Sequence, residues 1–164
     1  MRLIHYSNAP LTSVYSVEQA GERYEWHDGR KPNGLWVSVE GEDDWRAWCE
    51  AESFRDCAAQ HAAEIVLAPD HRVLIVDTPV AMELFHSEFA VERDKYGKWK
   101  EWRIDWPRVA ERHSGIVIAP YQWQHRLDGK LSGWYYSWDC ASGCIWDASA
   151  VASLVPIHAS TAAA

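Results

Sequence analysis

Seven short apolar or aromatic runs constrain this chain most. They are Arg2–Ser7, Leu35–Val39, Glu64–Ala68, Val73–Val76, Ile116–Ala119, Trp134–Trp138 and Cys144–Trp146. Runs of this length, rich in Val, Ile and aromatic residues, read as strands rather than helices. Several are closed by proline, at Pro10, Pro69, Pro79 and Pro120. Proline has no N–H for a ladder and restrains the residue before it. Helical patterning is confined to a few places. Glu42-Asp43-Asp44 precedes Trp45, and Trp48, Cys49 and Cys57 continue one apolar face, which predicts a helix over 43–61. Acids at its start suit the free N–H groups and the positive end of the dipole. Thr78-Pro79 opens a second helix over 79–90, with Val80, Leu84, Phe85 and Phe89 on one face. Asp105-Trp106-Pro107 opens a short third one that runs to His113. Regular βαβα alternation is absent, which argues against a doubly wound parallel sheet. The expected class is α+β: a mostly antiparallel sheet, open to being split in two, with two or three helices.

The rest of the chain reads as connections. Residues 21–33 are polar and turn-rich, and 91–104 are charged and aromatic, read as a solvated loop or a substrate-facing flap. Asp147 is placed as the cap of a short helix, and residues 159–164 as a disordered tail. Residues 1–158 are expected to form a single domain, since 164 residues can bury a real core without metals or disulfides. No signal-type N-terminus and no run of about 18 apolar residues occurs, so the expected setting is cytoplasmic, with Cys49, Cys57, Cys140 and Cys144 as reduced thiols. Cys140-x-x-x-Cys144 lacks a second ligand pair at zinc spacing, and small buried thiols are the expectation. The net charge of −8 opposes non-specific binding to nucleic acid and to anionic membranes. Eleven tryptophans are many for this length. Most are expected in the core, and some along a groove that stacks flat ligands.

Three runs carry polar groups that a core strand does not need. The first holds His5 and Ser7, with Tyr6 between them on the opposite face and assigned to the core. The second places Trp36 two residues before Ser38 in Gly34-Leu35-Trp36-Val37-Ser38. The third puts Asp139 ahead of Cys140-Ala141-Ser142-Gly143. Each has a plainer reading: a satisfied core histidine, a core tryptophan, a turn aspartate. No G-x-G-x-x-G and no P-loop motif is present.

Taken together, strand-His-Tyr-Ser, then Gly-Leu-Trp-Val-Ser, a helix, Ser-Gly-Ile-Val-Ile and an acid before a closing strand resemble the ADP-ribosyltransferase superfamily. The likeness is to its histidine-type branch, which holds poly-ADP-ribose polymerases, tRNA 2′-phosphotransferases and small phage-encoded enzymes. The resemblance implies NAD as substrate. It implies His5, Ser7, Trp36 and Ser38 as dinucleotide-binding residues, and Asp139 as the catalytic acid, with His5 sharing in catalysis by fixing the pose. Trp36 stands where the family has a stacking Tyr, and Asp139 where it has Glu. Asp147 is the other candidate acid. Arg2, or a loop Arg such as Arg30, is expected to meet the pyrophosphate as a planar fork.

The residue types match the chemistry. Breaking the nicotinamide–ribose bond passes through an oxocarbenium-like state. A nearby carboxylate stabilises that charge and can orient or deprotonate an acceptor. A strand histidine can donate to the adenosine-ribose hydroxyls and fix the dinucleotide's pose, and an aromatic wall can stack nicotinamide. The first expectation is therefore an ADP-ribosyltransferase or NAD glycohydrolase, of the kind phage or bacterial effectors use, with an unidentified protein or nucleic-acid acceptor. The alternatives are a non-catalytic interaction module with an acidic Trp-rich surface, and an RNA-processing protein that uses Trp as base platforms. What separates the first two is whether His5, Trp36 and Asp139 converge on one concave pocket.

Overall fold

The computed structural model describes residues 1–19, 30–54, 61–95, 99–129 and 131–157 of the chain; for 93–95, 99, 100 and 132 only the backbone is described. The strands are β1 (Leu3–Ser7), β2 (Leu35–Val39), β3 (His61–Leu67), β4 (Val73–Val76), β5 (Ala90–Lys95), β6 (Trp99–Ile104), β7 (Gly115–Ile118), β8 (Ser142–Ile145) and β9 (Val151–Ile157). The helices are α1 (Trp45–Glu52), α2 (Pro79–Phe89), α3 (Trp106–Ala110), α4 (Trp123–Arg126) and α5 (Ser132–Tyr135). The main sheet runs β4-β7-β8-β2-β1-β3-β9, and β5-β6 form a separate hairpin. Every pairing is antiparallel except β4 with β7. The class is therefore α+β with a mostly antiparallel sheet. Among the described residues no helix is long and apolar enough to cross a membrane.

The sheet is strong on either side of its middle and weak at the middle. β2 pairs with β8 over four residues, Leu35↔Ile145 to Ser38↔Ser142, and β1 pairs with β3 over four, Ile4↔Glu64 to Ser7↔His61. β1 and β2 share only Leu3↔Val39 and Ile4↔Ser38. Continuing that register would set His5 opposite Val37 and Tyr6 opposite Trp36, but the ladder ends before them. The two halves of the sheet part there.

Several elements differ from the sequence expectation. The first helix spans Trp45–Glu52 rather than 43–61: Ser53 turns left-handed at φ 50 and donates its N–H back to the Glu50 carbonyl. The remainder of that expected helix reaches into residues outside the description. Ala90–Lys95 and Trp99–Ile104 pair as the antiparallel strands β5 and β6, where 91–104 was expected to be a loop. The expected strand Trp134–Trp138 is instead the helical turn α5 with its extension. Trp134, Tyr135 and Trp138 are buried while Tyr136 is exposed, an i, i+1, i+4 pattern that fits a helix and not a strand. Asp147 does cap a short turn, Ala148–Ala150, by accepting from Ser149 N–H, but the chain then continues as β9 against β3. The expected tail at 159–164 lies outside the described residues. Cys140 and Cys144 are free and buried, but Cys49 is disulfide-bonded, which corrects the expectation of four reduced thiols.

The tryptophans explain themselves by position. Trp106, Trp134, Trp138 and Trp146 are buried in one aromatic core together with Phe85 and Phe89. Trp134 meets Phe85, Trp106 and Trp138 at ring distances between 5.6 and 6.4 Å. Edge-to-face contacts of this kind add to the area they bury.

Two glycines hold strands close. Gly34, at φ 149, enters β2 where a Cβ would lie 2.5 Å from the Ile145 carbonyl oxygen. Gly143 sits in β8 where a Cβ would lie 2.5 Å from the Ile116 oxygen and 2.7 Å from Val117 Cγ2. Backbone and a β-branched side chain cannot yield there. Gly143→Ala should therefore destabilise the fold by about 1–3 kcal/mol, the cost of overpacking a filled core. Urea unfolding should read this as a lower midpoint with an unchanged slope.

Candidate functional site

Where β1 and β2 part, a cavity of about 350 Å³ opens. Its wall includes His5, Tyr6, Lys31, Trp36, Ser38, Trp45, Asp139 and Cys140. The structure thus brings together four of the residues singled out from sequence, from three different strands or strand ends: His5, Trp36, Ser38 and Asp139. Tyr6, expected in the core, is half-buried and also lines the cavity. With β1 no longer paired to β2 from His5 onward, the cleft reaches both faces of that strand.

His5 is held by its own chemistry. Its Nδ1 lies 2.7 Å from the Trp36 carbonyl oxygen. A carbonyl can only accept, so Nδ1 carries the hydrogen and donates it. In the neutral ring this leaves Nε2 as an acceptor, able to take a hydrogen bond from a donor in the cavity. Ser38 has a second duty: its Oγ accepts from the Trp45 N–H, the first amide of α1, while Asp44 Oδ1 accepts from Ala47 N–H. Both satisfy helix-start donors that otherwise lack partners. The serine hydroxyl hydrogen remains available to a ligand.

Trp36 is a braced wall. Its ring meets Trp138 edge-on at 4.9 Å and 63°, and Trp138 is fully buried in the aromatic core. On the rim, Trp45 stacks on Trp48 at 5.1 Å and 20°, with Phe54 against both.

Asp139 lies on the loop between α5 and β8. That loop is fixed by Ala141 N–H donating to the Asp43 carbonyl and by Val39 N–H donating to the Ala141 carbonyl. Its two oxygens face two cations: Oδ2 is 3.8 Å from Lys31 Nζ and Oδ1 is 3.9 Å from Arg126 Nη2. Arg126 is in turn held over the rings of Tyr121, Trp123 and Tyr136, at 6.0, 5.8 and 5.5 Å. Despite these cations the Asp139 carboxyl is raised above its ordinary value, because burial outweighs them. Behind it, burial also pushes the Tyr121 hydroxyl up to about 12. Burial pushes the Cys140 thiol up to about 11. Cys140 is thus a thiol at neutral pH and not a nucleophile, although it lines the cavity.

Other expected residues stand elsewhere. Arg2 is outside the cavity wall, and its guanidinium bonds Glu64 at 2.9 Å and Glu40 at 2.8 Å. Ser7 donates to the Ala9 carbonyl and does not line the cavity. Arg30 is paired with Glu101 at 3.2 Å. Asp147, the second candidate acid, caps its own turn and meets Arg72 at 3.8 Å. Lys31, Trp45, Tyr6 and Cys140 are among the wall residues that sequence reasoning did not assign to the site. For Lys31 the one available signal was its place three residues before Gly34, where the chain must turn sharply into β2. Among the described residues no group of three or more His, Cys, Asp or Glu side chains is arranged to hold a metal.

No family model, no curated protein and no solved structure matches this chain.

The raised carboxyl of Asp139 carries a testable sign. In the folded protein it holds its proton to higher pH than in the unfolded chain. Folding is then disfavoured once pH rises past the ordinary value of 3.8, and remains so at neutral pH. Asp139→Asn should therefore raise the melting temperature at pH 7, and the gain should shrink as pH falls below that value. A variant that melts lower at neutral pH would mean that the ion pairs with Lys31 and Arg126 outweigh burial.

Proposed function

We propose that this chain binds NAD in the cleft between β1 and β2 and breaks its nicotinamide–ribose bond, passing ADP-ribose to an acceptor or to water. The observation that carries this is the convergence of His5, Trp36, Ser38 and Asp139 on one cavity. The resemblance to the histidine-type ADP-ribosyltransferases assigns His5, Trp36 and Ser38 to the dinucleotide and Asp139 to catalysis; Ser7 and Arg2, also assigned to the dinucleotide, lie off the cavity wall.

The geometry supports a role for each. Trp36, braced by Trp138, offers nicotinamide a face that does not have to be ordered on binding. His5, fixed through Nδ1, presents Nε2 to a ribose hydroxyl. The cavity volume, about 350 Å³, lies at the small end of the usual range of about 300–1,000 Å³ for ligand sites. It suits the nicotinamide riboside half, with the rest of the dinucleotide running along the open side. As the C1′–N1 bond breaks, its electron pair leaves with the ring nitrogen and positive charge grows on the ribose. The Asp139 carboxylate, partly withdrawn from water, stabilises that charge better than an exposed acid would. The acceptor then adds at C1′ and gives up its proton to Asp139 or to solvent. Asp139 stands where the family has Glu and is one methylene shorter; its seat on a short loop beside the cavity offsets part of that reach.

Nicotinamide release from NAD by the purified chain is the direct test. Asp139→Ala and His5→Ala should each reduce it by about 10²-fold or more, the range for losing one preorganised electrostatic or general-base contact. Both variants should retain the parent's cooperative melting. Absence of release, together with no thermal shift in millimolar NAD, would remove the nucleotide reading. The interaction-module alternative would then stand.

A further inference from the structure

The geometry points to a cation subsite in this cavity that the chain fills with its own Lys31. The reading deepens the proposed function, and rests on it only for the identity of the natural ligand.

The Lys31 ammonium lies 5.2 Å from the centre of the Trp36 ring and 3.8 Å from Asp139 Oδ2. An aromatic face and a carboxylate are the two partners that select organic cations over neutral molecules of the same shape. Trp36 has its other contact with the buried Trp138, so the surface on which Lys31 rests belongs to the cavity wall. Lys31 is itself 40 % exposed. Its flexible stem can withdraw the ammonium into water without leaving a buried hole. Arg126, the other cation at Asp139, is held between three rings and does not line the cavity. It stays while Lys31 exchanges.

The ligand class follows from what Lys31 imitates: a singly charged, flat or compact organic cation. An N-substituted pyridinium fits both partners, with its ring on Trp36 and its charge near Asp139. One cation then replaces another, and the charge count at Asp139 is unchanged. The nicotinamide ring of NAD is such a pyridinium. When its bond to ribose breaks, the electron pair returns to the ring nitrogen and the ring becomes neutral. A neutral ring has no charge to set against Asp139 and leaves the Lys31–Asp139 pair in place, whereas a pyridinium must take over that carboxylate from the ammonium. Lys31 therefore weakens binding of the charged substrate and leaves binding of the neutral product little changed.

Calorimetric titration of the full chain with 1-methylnicotinamide and with nicotinamide separates charge from shape, and neither compound can be cleaved to ADP-ribose. Lys31→Met should bind 1-methylnicotinamide about fivefold or more tighter than the parent, while nicotinamide changes by less than about twofold. Lys31→Gln, which keeps a polar tip, should show the same selectivity. Adding Asp139→Asn to Lys31→Met should cancel the gain. Equal tightening of both ligands would mean that Lys31 only obstructs the cavity. No tightening in either folded Lys31 variant would mean that it does not compete; both results overturn the proposal. NAD cleavage measured alongside keeps the two readings apart. Selective tightening without cleavage leaves the subsite and removes the enzyme. Cleavage without selective tightening does the reverse.

Discussion

A sheet that lets two central strands part must satisfy the peptide groups it uncovers there. Here a side chain does so. The Trp36 carbonyl, left without a partner amide from β1, takes its hydrogen from His5 Nδ1 at 2.7 Å. An unpaired buried carbonyl carries a desolvation cost of about 1–3 kcal/mol. The histidine thus closes the gap that its own strand opens. The same contact fixes which ring nitrogen faces the cavity. Structure and chemistry meet in one hydrogen bond, and the rest of the site is arranged around the opening it keeps.

The neighbouring parts lean on the same opening. Ser38 is the last β2 residue paired with both β1 and β8, and its hydroxyl starts α1 by accepting from Trp45 N–H. That places Trp45 on the rim. Trp36 is held from behind by Trp138, which packs on Trp106 and Trp134. A wall tied to a close-packed core keeps its position. Asp139 precedes β8 on a loop tied to Asp43 and Val39, so the acid is set by the strand that neighbours β2. Its charge is tolerated in a half-buried place because Lys31 and Arg126 stand within 4 Å, and even so burial raises its carboxyl. An arrangement that costs stability in this way fits a site kept for binding rather than for folding.

Much of the architecture was legible in local patterns, because β1, β2, β4 and β7 are β-branched and closed by proline or polar turns. Thr78 and Asp105 announced α2 and α3 by capping them. What was illegible had physical causes. Trp134, Tyr135 and Trp138 read as a strand because aromatics favour strands, whereas burial on one side of a helical turn decided the matter. The strands β5 and β6 carry seven charged residues among twelve, a composition that reads as a solvated loop. At the site, residue types and order indicated His5, Trp36, Ser38 and Asp139, but no local pattern announces that a ladder will stop after two pairs. For that reason Tyr6 was assigned to the core, and Lys31, whose partners are 5 and 108 positions away, was not assigned at all. Arg2 shows the converse: a suitable donor by type, committed to Glu40 and Glu64.

The far side of the sheet ends in β9, whose Pro156 faces Ala63 of β3. Being an imide, Pro156 has no hydrogen to offer, which an outermost strand tolerates where a central one does not. Proline on an edge strand blunts it as a template for another chain. The opposite margin, β4, is only four residues long. Among the described residues both margins of the sheet are thus poor templates for a further strand.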